Sequence, residues 1–170
     1  IVYGEREAPD EVLRTFGSRL SRATPMDELL LQLAESLRKT LALQAAEVWT
    51  GSAERLERTV SVPERPSAVL VLRPEEQSVV ARAGVSGNAW LAVWMPSLLA
   101  DRGAVQLRVA PVSHSGEVLG LIVVERDAEG DLFTDDDERV LTELSRQVAL
   151  ALHNVQLDSA LQASLDELRR

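Results

Sequence analysis

The segment Val118–Glu125 reads V-L-G-L-I-V-V-E, and it is apolar at odd and even positions alike. A strand points successive side chains to opposite faces, so a run without alternation must be covered on both faces. That requirement dictates a layered fold with a sheet in the middle. Leu107–Val112 precedes the run and Ser113-His114-Ser115-Gly116-Glu117 lies between them, which predicts a β-hairpin.

The covering layers are found at the two ends of the chain. Val12, Leu13, Phe16 and Leu20 form a helical stripe that begins near Pro9 and Asp10. Thr24 and Pro25 suit an N-cap and a first turn. They open a helix to about Leu43, with Leu29, Leu30, Leu33, Leu37 and Leu41 inward and Glu35, Arg38 and Lys39 toward water. At the other end, Thr134 followed three residues later by Asp137 has capping-box spacing, with Asp in place of the usual Glu. This helix is predicted to run to Arg170 with Leu141, Leu144, Val148, Ala151 and Val155 on one stripe. Residues 148–152 are apolar all round, so a second helix is expected against the side that the sheet does not cover.

Between these ends, Ala46–Thr50, Arg58–Val62, Ala68–Leu72 and Trp90–Met95 read as strands, and Pro74–Ala83 as a short helix. Ala68–Leu72 is a continuous apolar run and is expected to be buried. Strands grouped centrally between long terminal helices give an α+β domain with an antiparallel sheet. The 170 residues fit one domain.

Composition removes several function classes. There is no cysteine, which excludes disulfides, thiolate metal sites and thiol catalysis. The two histidines, His114 and His153, are too few for a multi-histidine metal site. The net charge of −9 disfavours nucleic acid and anionic membranes as partners. No apolar run is long enough to span a bilayer, and the first residues lack the basic start of a secretory signal. Beginning with Ile1 and ending in helix formers, the chain reads as a piece of a longer polypeptide.

No motif for catalysis survives inspection. Glu125–Glu138 holds eight acids and places five of them at calcium-loop spacing, but Leu132 occupies the position that needs glycine. A solvated turn followed by a dipole-matched helix start explains the run. Gly84-Val85-Ser86-Gly87 lacks the spacing of a nucleophile elbow, and neither histidine has a supporting motif as a base. No phosphate loop is present. Either histidine is conceivable as a haem ligand, although a lone histidine is more often a satisfied structural residue. Trp49, Trp90 and Trp94 are three of only six aromatic residues. As a strand, the second segment would place Trp90 and Trp94 on one face. Large aromatics line pockets and also fill cores.

The residues carry a family resemblance. The hairpin L-R-V-A-P-V-S-H-S-G-E-V-L-G-L-I-V-V-E, followed by F-T-D-D-D-E-R-V-L-T-E-L-S-R-Q-V-A-L-A-L-H-N, resembles the closing half of a GAF domain. The match covers Thr24 to Val155. The tail L-D-S-A-L-Q-A-S-L-D-E-L-R-R resembles the connector into the dimerisation helices of actinobacterial sensor histidine kinases. A single lysine, Lys39, among eighteen basic residues fits a GC-rich genome of that kind.

The resemblance implies a six-stranded antiparallel sheet with helices on both faces and a ligand pocket between the sheet and the loops over it. It implies a signalling helix over residues 1–23, a sensor domain over 24–155 and a connector over 156–170. The ligand-site residues would be Trp49, Arg82, Trp90, Trp94, Met95 and Arg108, with the arginines offering charge to an anion. Val12, Leu13, Phe16, Leu20, Leu161, Leu165 and Leu168 would form a homodimer interface. The function implied is small-molecule sensing on the cytoplasmic side of a membrane-anchored kinase that signals to a response regulator. The alternative is a ligand-free relay module. Catalytic residues, metal and cofactor are expected to be absent. Bilin attachment and sulfoxide reduction need the missing cysteine, and the N-K-F-D-E signature of cyclic-nucleotide binders is not found.

Overall fold

The computed structural model describes residues 26–168, and side chains as far as Val155. The elements are α1 (Met26–Thr40), β1 (Ala45–Gly51), β2 (Arg55–Val62), β3 (Val69–Val71), α2 (Pro74–Arg82), α3 (Asn88–Trp94), a 3-10 turn (Pro96–Leu98), β4 (Val105–His114), β5 (Glu117–Asp127) and α4 (Asp135–Leu168). The strands form one antiparallel sheet in the order β3-β2-β1-β5-β4.

The doubly apolar strand occupies the position its composition requires. In β5 every residue from Val118 to Arg126 is buried. Ile122 and Val124 face the layer made by α1 and α4, whereas Leu121 and Val123 face α2, α3 and the loops. Gly120 is required by its neighbour strand, because a Cβ there would stand 2.3 Å from the carbonyl oxygen of Trp49. The hairpin turn is tighter than the five residues expected. Only Ser115 and Gly116 lie between β4 and β5, both at positive φ, which suits a primed two-residue turn.

On the helix side, α1 buries Leu29, Leu30, Leu33 and Leu37 and leaves Glu35, Arg38 and Lys39 exposed, as its periodicity predicts. The N-terminus of α4 carries the expected capping box. The Asp137 amide donates to Thr134 Oγ1 at 3.1 Å, and the Thr134 amide donates to Asp137 Oδ2 at 3.0 Å. Asp137 also accepts from Arg126 Nη1 at 3.2 Å, while Arg126 Nη2 donates to the Leu41 carbonyl at 2.5 Å. The acidic run is therefore not wholly a solvated turn. Part of it is a buried tie between β5, α1 and α4, with Arg126 lying over the Phe133 ring.

Three sequence expectations are corrected. Among the described residues the sheet has five strands, not six. Trp90–Trp94 belongs to helix α3 and Met95 is its C-cap, because Leu91 and Met95 at i and i+4 are the residues that reach the core, and Pro96 stops the turn. The only strand-like contact of this region is one bridge, Ser86 to Val109, beside which the Asn88 amide bonds the backbone of Val105 and Leu107. Third, 68–72 is not a fully buried strand. β3 is a three-residue edge strand with Leu70 inward and Val71 at 65 % exposure, since α1 lies over β1 and β2 and not over this edge. The expected first helix, with Val12, Leu13, Phe16 and Leu20, lies outside the described residues, as do the side chains of Leu161, Leu165 and Leu168.

Candidate functional site

On the face opposite α1 and α4, two glutamates are buried in adjacent strands. Glu47 in β1 and Glu125 in β5 interrupt apolar runs, A-A-E-V-W and I-V-V-E, and point to the same side. Each is 1 % exposed. An unpaired buried carboxylate would be very costly, so partners must reach it. They come from two loops and from β2.

Arg102, at the end of the 95–104 segment, donates from Nη1 to Glu47 Oε2 at 2.9 Å and to Glu125 Oε1 at 3.0 Å. Its Nη2 donates to Glu47 Oε1 at 3.0 Å and its Nε to the Leu98 carbonyl. Arg65, in the loop between β2 and β3, spans the same two carboxylates. Nη1 lies 2.7 Å from Glu47 Oε2 and 3.1 Å from Glu125 Oε1, and Nη2 lies 3.0 Å from Glu125 Oε2. The indole of Trp49 donates to Glu47 Oε1 at 3.0 Å, and Gln44 donates to Glu125 Oε2 at 2.6 Å. Arg58 of β2 completes the group, 3.2 Å from Glu47 and stacked 5.1 Å over the Trp49 ring.

The electrostatics follow from this geometry. Burial pushes the Glu47 carboxyl up, but the hydrogen bond and charge of Arg102, the Trp49 indole and the charge of Arg58 outweigh it and hold the group below the usual carboxylate range. Glu125 follows the same pattern. Burial raises it, and Arg65, Arg102 and Gln44 bring it below its ordinary value. Arg65 is held above the ordinary guanidinium value, chiefly by its hydrogen bond to Glu125. Both glutamates and Arg65 are therefore held in their charged forms at neutral pH.

Next to this cluster lies a cavity of about 450 Å³. Its floor is Trp49 and Arg58 on the sheet. Its walls are 65–69 from one loop and 97–98 and 100–102 from the other. The apolar surface comes from Pro66, Ala68, Val69 and Leu98, and the polar surface from the three arginines, Ser67, Ser97 and Asp101. The two glutamates thus clasp two loops onto the sheet, and the cavity is the space left between those loops.

The sequence-named residues are distributed over several places. Trp49 lines the cavity. Met95 is buried in the apolar core beside it and Trp90 packs against that core. Trp90 and Trp94 pair with each other on α3, with ring centroids 6.4 Å apart. Arg82 is exposed at the end of α2. Arg108 faces the other layer, where it pairs with Glu138 at 3.3 Å and lies over Phe133. His114 and His153 stack on each other at 3.8 Å between β4 and α4. Sequence reasoning passed over Glu47, Glu125, Arg58, Arg65 and Arg102. The available signal was an acid inside each of two apolar strands. Among the described residues no cluster of His, Cys, Asp or Glu is arranged to hold a metal ion. None of the described helices is long and apolar enough to cross a membrane.

Comparison with known proteins finds a match to the family model for the GAF domain over residues 9–152. No curated protein matches the chain. Among solved structures, the phycoerythrobilin-bound GAF domain of a cyanobacterial phytochrome is similar at a TM-score of 0.72 and 13 % identity, covering 90 % of this chain and 98 % of that one. The GAF domain of an Acinetobacter phosphoenolpyruvate-protein phosphotransferase is similar at 0.68 and 15 %, covering 89 % and 97 %. The GAF domain of a putative sensor histidine kinase from Pseudomonas syringae pv. tomato is similar at 0.63 and 14 %, covering 90 % and 92 %. At these identities the likeness concerns the fold.

Proposed function

The chain belongs to the GAF domain family, and from that premise we propose that it is the small-molecule-sensing domain of a sensor histidine kinase of actinobacterial type. In this reading it works as a homodimer on the cytoplasmic side of a membrane-anchored parent. Ligand occupancy changes how the terminal helices pair, and the kinase region downstream passes the signal to a response regulator. The domain itself is regulatory and performs no catalysis. A ligand shifts the helix pairing only as far as its affinity differs between the two arrangements.

The observation that carries this reading is the cavity of about 450 Å³ between the sheet and two loops, a volume suited to a metabolite. The outer side of α4 supports the relay half. Leu150 is 56 % exposed and Val155 is 44 % exposed on a helix that continues to Leu168, which is apolar surface for a second helix to cover. The similar GAF domain from a putative sensor histidine kinase fits the same context.

The test is native mass spectrometry of the purified chain against its denatured mass. The expected result is a dimer carrying a non-covalent excess per chain. A strictly monomeric protein at high micromolar concentration overturns the relay. A clean dimer without excess favours a second reading, a ligand-free relay module. That reading has its own support in the complete packing of Leu91, Met95, Leu98 and Leu121 beside the cavity.

A further inference from the structure

The arginine cluster has more donors than its glutamates can accept. A carboxylate offers about four lone-pair positions. Glu47 receives four hydrogen bonds, from Arg65, twice from Arg102 and from Trp49. Glu125 also receives four, twice from Arg65, and from Arg102 and Gln44. Both acids are saturated without Arg58. The consequence is visible at Arg58, whose Nε is buried and makes no hydrogen bond although it stands 3.2 Å from Glu47 Oε1. Its Nη1 is used by the Pro66 carbonyl at 2.8 Å. Among the described residues Glu47 and Glu125 are the only acids paired with the three guanidiniums, and Asp101, exposed on the cavity wall, makes no ion pair with them, so Arg58 faces the cavity without a carboxylate of its own to accept its hydrogen bonds.

We propose that the cavity binds a small organic oxyanion, a carboxylate or a phosphate ester, with Arg58 as the principal anchor and Arg65 beside it. The inference deepens the sensor reading and rests on it. Guanidinium forks match planar carboxylate and phosphate oxygens, and a charge-assisted bond in a half-buried site is stronger than a neutral one. The oxyanion accepts from the Arg58 Nη groups that the Pro66 carbonyl leaves free, while Nε stays buried against Glu47. The organic body lies on Ala68, Val69 and Leu98, and the hydroxyls of Ser67 and Ser97 are at hand for its polar groups. Four of the five Arg102 donors are taken by Glu47, Glu125 and Leu98, so its part is to hold its loop in place. The glutamates act as positioning residues that keep the arginines extended before any ligand arrives.

The experiment uses the whole chain at matched ionic strength and four probes. Succinate and glycerol 3-phosphate carry the oxyanion, while succinamide and glycerol are their uncharged counterparts. The thermal midpoint should rise by about 3 °C at tenfold excess over the dissociation constant with at least one charged probe, and not with its counterpart. Whichever charged probe acts decides between carboxylate and phosphate. The chain has three tryptophans, hence three indole N–H resonances in a ¹⁵N spectrum, and the one from Trp49 should move most. Arg58→Gln should abolish the shift, whereas Arg146→Gln, on the exposed side of α4, should keep it. If Arg58→Gln does not fold, the comparison of charged and neutral probes on the unaltered chain still decides. Equal shifts with charged and neutral probes overturn the oxyanion and leave the sensor reading standing. No shift with any probe also overturns it. A non-covalent mass excess would still uphold sensing in that case, and its loss would remove both.

Discussion

The two faces of the sheet solve the same covering problem by different means. One is covered by α1 and α4, whose leucines pack against Ala46, Val48, Ile122 and Val124 in a largely apolar layer, with the buried Arg126–Asp137 pair at its end. The other is covered by two short helices, a 3-10 turn and loops, which have too few apolar residues to seal it. There the chain uses Glu47 and Glu125 to gather Arg65 and Arg102, and a cavity remains. Long helices close a face by continuous apolar contact. Loops cannot, because their backbone polar groups need partners and their side chains do not line up. The cavity of about 450 Å³ lies on the face that is less well sealed by apolar packing.

The comparison breaks most sharply at the clasp. Glu47→Ala would leave Arg58 without an acid and Arg65 and Arg102 with Glu125 alone, and it should cost ~3–5 kcal/mol in urea unfolding. On the helix-covered face, Leu37→Ala removes a fully buried side chain and should cost ~2–5 kcal/mol, without altering the response to charged probes. A loss well below that range would show that the helix face is looser than its packing indicates.

Acid should separate the two faces as well. Glu47 and Glu125 are depressed in the folded state, so their contribution is present above the unfolded carboxylate value of about 4.3 and is lost as pH falls through the lower folded values. The thermal midpoint should therefore fall steeply below about pH 4.3, and Glu125→Gln should flatten that fall. A pH profile identical for the two proteins would remove the clasp as its cause.

Smaller effects sharpen the picture at the junction with α4. Thr134→Ala deletes one half of the capping box and should cost ~1 kcal/mol by chemical denaturation. Arg55→Ala, which removes an exposed pair with Glu57, should change stability by less than ~0.5 kcal/mol.

The helix-covered face was legible in the residues. The leucine spacing of α1, the Thr134–Asp137 box and the doubly apolar β5 each depend on contacts within a few positions of the chain, or on a period that any covering layer satisfies. Trp90–Met95 reads as a strand in the sequence because a short apolar run has no period of its own. Its helical form is decided by Leu91 and Met95 meeting the core. The candidate site was barely legible for a related reason. Glu47, Arg65, Arg102 and Glu125 are separated by 18 to 60 positions or more in the pairs that matter, and only the pairing of β1 with β5 brings the two acids to one face. Sequence alone determined that a central strand must be covered twice and that strong helices were available to do half of that. The tertiary structure decided what covers the other half, because a buried charge takes its meaning from partners that local sequence does not reveal.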